Sequence, residues 1–138
     1  MVIRRFGYSL ALLGLALSAC LAAGENDQRG RPEDAANGFV AALANRDCDR
    51  AVDFSTIGFW RTETRADAVL TCRGFLDGLP EITAYGDHGA LYGEPGSLPD
   101  ATVLVSLTFD SGATALWIVS LADFPEGWTV VDLSGNSN

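Results

Sequence analysis

The sequence predicts an α+β domain in which three helices come first and a curved antiparallel sheet of about four strands follows. Three observations carry that prediction. Up to about residue 79, apolar residues recur at spacings of three and four, the period of one buried helix face. From Ile82 onward they alternate instead, as on a strand with one face inward. Turn signals rich in Gly, Asp and Pro then divide the second half into short runs. Helices segregated before strands belong to the α+β class.

Pro32 suits the first turn of a helix, and Glu33 and Asp34 place negative charge at its N-terminus. Ala36, Phe39, Val40 and Leu43 share one face, so the first helix is expected over about 33–45. Gly38 works against it by roughly 1 kcal/mol relative to Ala. Asp47 is an N-cap for a short second helix through Phe54, with Cys48, Ala51 and Val52 inward. The linker that holds Gly58, Phe59 and Trp60 is too aromatic for a bare loop and is expected over the core edge. Thr64 with Asp67 reads as a capping box that opens the third helix. Val69, Cys72, Leu76 and Leu79 form its inner row, and Gly78 and Pro80 end it.

Residues 82–92 read as an extended stretch broken by Gly86 and Gly89, with a bulge. Residues 93–100 hold two prolines and two glycines and form a loop. Val103, Val105, Leu107 and Phe109 alternate along the next strand, and Asp110-Ser111-Gly112 signals a hairpin. In 113–121, Ala115, Trp117, Val119 and Leu121 face one way, and Leu116 and Ile118 the other. A strand apolar on both faces is central or meets a partner. Trp128 to Leu133 closes the sheet before a polar tail.

The chain has 138 residues, with 9 Arg, no Lys and 18 acidic residues. Its N-terminus reads as a secretory signal, Arg4 and Arg5 followed by the uncharged run Phe6 to Ala19. That run is shorter than the roughly 20 residues a membrane span needs. It ends in Leu17-Ser18-Ala19-Cys20, which resembles the lipobox of bacterial lipoproteins. The resemblance implies cleavage before Cys20, lipidation of Cys20, and anchorage to the outer face of the cell membrane, or to an outer membrane where the cell has one. Ordinary secretion with cleavage after Ala23 is the competing reading, and it would place Leu21 where a small side chain is expected. Residues 1–19 are thus the signal, 20–32 a lipidated Cys and flexible tether, and 33–138 one domain. Without residues 1–19 the charge is −11, which argues against nucleic acid and anionic lipid as partners.

In an exported protein Cys48 and Cys72 remain as one even pair, expected as a disulfide between the second and third helices. A loop of that length would stabilise the fold by about 3 kcal/mol. Two cysteines and one His, His88, do not make a structural zinc site, and no metal or cofactor is expected.

Three segments resemble the nuclear transport factor 2-like superfamily: Ala35–Asp47, Pro99–Leu107 and Gly127–Leu133. A cystatin-like sheet around one helix is the near alternative. The resemblance implies a cone-shaped sheet that wraps its helices. The superfamily holds ketosteroid isomerase and polyketide cyclases beside members without catalysis, so fold alone does not decide function. An isomerase-type site needs a carboxylate base in the cone after the second helix. Here Ser55 to Trp60 carries none, and Asp53, Tyr85 and His88 are the nearest candidates. Asp87 and His88 are strand neighbours and are expected on opposite faces. No nucleophile–base pair is visible.

Phe59, Trp60, Tyr85, Tyr92, Trp117 and Trp128 are the candidate lining of an apolar pocket. The expected function is a tethered, non-catalytic module that binds a small apolar molecule or a protein. Expected partners are the bilayer through Cys20, an envelope protein or a second copy through Leu116 and Ile118. The alternative is an isomerase- or cyclase-like enzyme.

Overall fold

A computed structural model describes residues 30–137. The signal, Cys20 and most of the expected tether lie outside the described residues. The helices are α1 (Pro32–Ala44), α2 (Cys48–Asp53) and α3 (Arg65–Asp77), with a 3-10 turn at Ile57–Trp60 between the last two. Strands β1 (Ile82–Tyr92), β2 (Ala101–Phe109), β3 (Thr114–Phe124) and β4 (Gly127–Ser137) follow as an antiparallel meander in the order β1-β2-β3-β4. The α+β class and the helix-then-strand order are as the periodicity predicts.

The caps act where the sequence places them. Asp47 accepts from Arg50 N at 3.2 Å, and Thr64 accepts from Asp67 N at 3.2 Å. Both bonds satisfy helix N–H groups that lack an intrahelical partner. Helix α1 touches all four strands and α2, and Ala35, Ala36, Phe39 and Val40 have no exposed surface. The sheet's inner face meets it with Val103, Val105 and Leu107 from β2, and Val119 and Leu121 from β3. β3 has apolar side chains on both faces and lies between β2 and β4. A disulfide joins Cys48 to Cys72 across α2 and α3, with Cα atoms 5.8 Å apart and both residues buried. That spacing is ordinary for a bridge.

Two features depart from expectation. The residues after Leu133, expected as a tail, continue β4 and pair with β3 as far as Ala115↔Ser137. Backbone pairing needs no apolar side chains, so the polar sequence conceals the strand. Gly135 fits because a Cβ there would stand 2.6 Å from Trp117 Cδ1. The second feature is a parallel bridge between Ser55 and Val130. Thr56 N donates to Val130 O at 3.0 Å and Val130 N to Phe54 O at 2.8 Å. The segment after α2 thus covers part of the exposed edge of β4.

The bulge expected near Gly89 has a definite cause. Register shifts between Asp87 and Ala90, where Gly89 takes φ 93°. Asp87 Oδ1 accepts from Gly89 N at 2.9 Å, and Asp87 Oδ2 accepts from Asn37 Nδ2 at 2.7 Å. One carboxylate therefore ties the kink to α1. These two bonds, that from Asn37 first, hold Asp87 below the usual carboxylate range.

Candidate aromatic pocket

The 3-10 turn between α2 and α3 positions the site. Thr56 starts it by accepting from Phe59 N at 3.1 Å, and Arg61 ends it in a left-handed conformation at φ 60°. That region costs a non-glycine residue energy and is found at sites the surrounding structure over-determines. Trp60 is buried, and its Nε1–H donates to Ser55 Oγ at 2.8 Å. Ser55 Oγ in turn donates to Ala51 O at 2.8 Å. The indole is therefore fixed in orientation by a buried hydroxyl that α2 holds.

Around this turn the aromatic rings form a chain of contacts. Phe59 meets Phe39 edge-on at 5.6 Å between centroids and Trp60 at 4.7 Å. Phe75 of α3 lies 6.4 Å from Trp60, and 6.4 Å from Trp117 on β3. Such pairs contribute about 0.5–1.5 kcal/mol beyond area burial. They leave a cavity of about 280 Å³ lined by Phe39, Phe59, Trp60, Phe75 and Leu133, with Arg61 and Thr71 also in its wall. The walls are apolar, and Arg61 makes no ion pair among the described residues. An apolar cavity with few polar groups is the general form of a small-molecule site.

A larger groove of about 520 Å³ opens between α2, residues 55–57 and the β3–β4 turn. It contains Asp53, Arg65 and Glu126. Arg65 Nη1 bonds Asp53 Oδ1 at 2.6 Å with both side chains exposed. We favour the aromatic cavity because its walls are ordered and apolar, whereas the groove's charges are solvated and partly paired.

The six aromatic residues singled out in the sequence fall in separate places. Phe59 and Trp60 line the cavity, and Trp117 supports it from below through Phe75. Tyr92 and Trp128 meet each other at 6.1 Å, at the end of the sheet where β1 finishes. Tyr85 is 42% exposed on β1, opposite Leu107. Phe39, Phe75, Leu133, Arg61 and Thr71, which also line the cavity, were not among the candidates. Thr71 and Phe75 sit four apart on α3 and so share one side of the helix, and that spacing was the available signal.

The residues considered for acid–base work are not brought together. Asp53, at the end of α2, is bound to Arg65 of α3. β1, which carries Tyr85, adds no residue to the groove that contains Asp53. Asp87 faces Asn37 on α1, while His88 Nε2 shares a hydrogen bond with Ser106 Oγ at 3.1 Å. Neighbouring strand residues thus point to opposite faces, as expected. Among the described residues no cluster of His, Cys, Asp or Glu could hold a metal ion, and no helix is long and apolar enough to cross a membrane. Compared with known proteins, the chain matches no family model and no curated protein.

Proposed function

We propose that this chain is an exported, lipid-anchored protein whose nuclear transport factor 2-like domain holds a small apolar molecule without transforming it. The observation that carries this reading is the aromatic cavity between α1, the 3-10 turn, α3 and β4. Its walls suit one apolar ring or a short chain, and Arg61 stands at its side without an ionic partner among the described residues. Ligand and cavity would both lose apolar contact with water, which favours binding in proportion to the area covered.

The superfamily assignment is supported by a sheet whose inner face packs on a buried helix, together with the three resembling segments. The anchor is supported by the signal-like N-terminus and Cys20, and the disulfide suits an oxidising compartment. The test is the mass of the N-terminal peptide of chain purified from bacterial membranes. A peptide beginning at Cys20 and heavier by diacylglycerol supports the anchor. An unmodified peptide beginning elsewhere contradicts it.

A second reading, a homodimer through the outer sheet face, has one observation in its favour. Leu116 and Ile118 are each 40% exposed there, and Leu104 pairs with Ile118. Leu116→Arg should halve the mass seen by light scattering if that face is an interface. An unchanged mass rejects it.

A further inference from the structure

The end of the domain from which the described chain starts also carries the most exposed large apolar side chains among the described residues. Chain direction fixes which end this is. Asn37 in α1 bonds Asp87 in β1, and just past α1 Arg46 bonds Leu76 O and Leu79 O, shortly before β1 begins. Helix α1 therefore runs opposite to β1. Its N-terminus lies where β1 finishes, beside the 93–100 loop and the β3–β4 turn.

At that end Leu98, Leu91 and Tyr92 are 78%, 71% and 66% exposed, more than any other large apolar side chain among the described residues. Phe124 adds to the same end. The loop is not frayed. Gly93 N bonds Asp100 O at 2.7 Å, Ser97 N bonds Glu94 O at 3.1 Å, and Asp123 N bonds Asp100 Oδ2 at 2.8 Å. The loop is thus held by hydrogen bonds while Leu98 faces water close to Leu91 and Tyr92. A contiguous exposed apolar patch is the general form of an interaction surface.

We propose that this end rests in the interfacial layer of an uncharged bilayer, with Leu91, Tyr92 and Leu98 among the lipid headgroups. The proposal rests on the lipid-anchor reading. Nine residues lie between Cys20 and Gly30, so the ten Cα–Cα steps can span at most about 35 Å. That confinement raises the effective concentration of membrane at this end, so a weak contact is occupied without further affinity. A tyrosine beside leucines suits the interface, where one side of the contact is apolar and the other wet. Glu94, Asp100 and Glu126 border the patch, so anionic lipid would repel it.

The test uses full chain, processed and acylated in a bacterial host, with Leu98→Cys carrying an environment-sensitive fluorophore. Ser111→Cys, in the β2–β3 turn at the opposite end, is the control. In phosphatidylcholine vesicles the label at 98 should shift to the blue and be quenched by spin-labelled lipid, and the label at 111 should not. Added phosphatidylglycerol should weaken the shift at 98. An acylated chain whose label at 98 behaves like that at 111 overturns the contact while leaving the anchor standing. A chain without acyl mass overturns both. A shift that persists after protease cuts ahead of Gly30 and frees the domain means that the chain itself or a second copy covers the patch, and rejects the membrane as occupant.

Discussion

The ring of Phe54 occupies the space that a side chain at Gly38 would need. A Cβ at 38 would stand 2.7 Å from Phe54 Cε1, closer than real carbon contacts allow. Glycine in mid-helix therefore serves the close packing of α1 on the end of α2. Its cost of roughly 1 kcal/mol in helix propensity is the smaller effect.

Gly38→Ala should consequently destabilise the domain by about 1–3 kcal/mol, although alanine favours helix. Urea denaturation reads this directly. A variant more stable than the parent would show that Phe54 yields freely.

Ser55 is the buried hydroxyl that orients Trp60. Ser55→Ala leaves the indole N–H unpaired in the core and should cost about 1–3 kcal/mol. Because the indole is a wall of the cavity, its fluorescence should also change in the folded variant. An unaltered spectrum and melting point would remove Ser55 from the account.

Asp87 links stability to acid. Its folded value is lowered by the bonds from Asn37 and Gly89, so its contribution is complete above the ordinary carboxylate value of about 3.9. That contribution is lost as pH falls through the lowered folded value. Asn37→Ala removes the leading cause. The stability gap between this variant and the parent should be about 1–2 kcal/mol near neutrality and should narrow below about pH 4. A gap that stays constant or widens with acid contradicts the assignment.

The sequence made the helical half legible because its caps and inner rows are local features. Asp47 and Thr64 cap as their types demand, and the spacing of Val69, Cys72 and Leu76 places one cysteine of the bridge inward. β3 was legible as central because it is apolar on both faces. The site was less legible because aromatic identity does not tell a cavity wall from a rim. The bulge at Gly89 and the strand register decide that Tyr92 meets Trp128, away from the cavity. Arg46 shows the same limit. It sits at φ 56° after α1, where glycine is usual, and Arg46 N and Asp47 N bond Leu43 O and Ala42 O to close the helix. Its guanidinium reaches Leu76 O and Leu79 O, 30 and 33 residues further along the chain. No local pattern announces a bond of that range.

The cavity's occupancy is the most direct test of the proposed function. Native mass spectrometry of chain purified from membranes should show a small added mass that denaturation removes. Phe75→Arg, at a position 39% exposed, should keep the fold and lose that mass. A parent chain with no added mass, or a folded Phe75→Arg chain that keeps it, would contradict a ligand in the aromatic pocket.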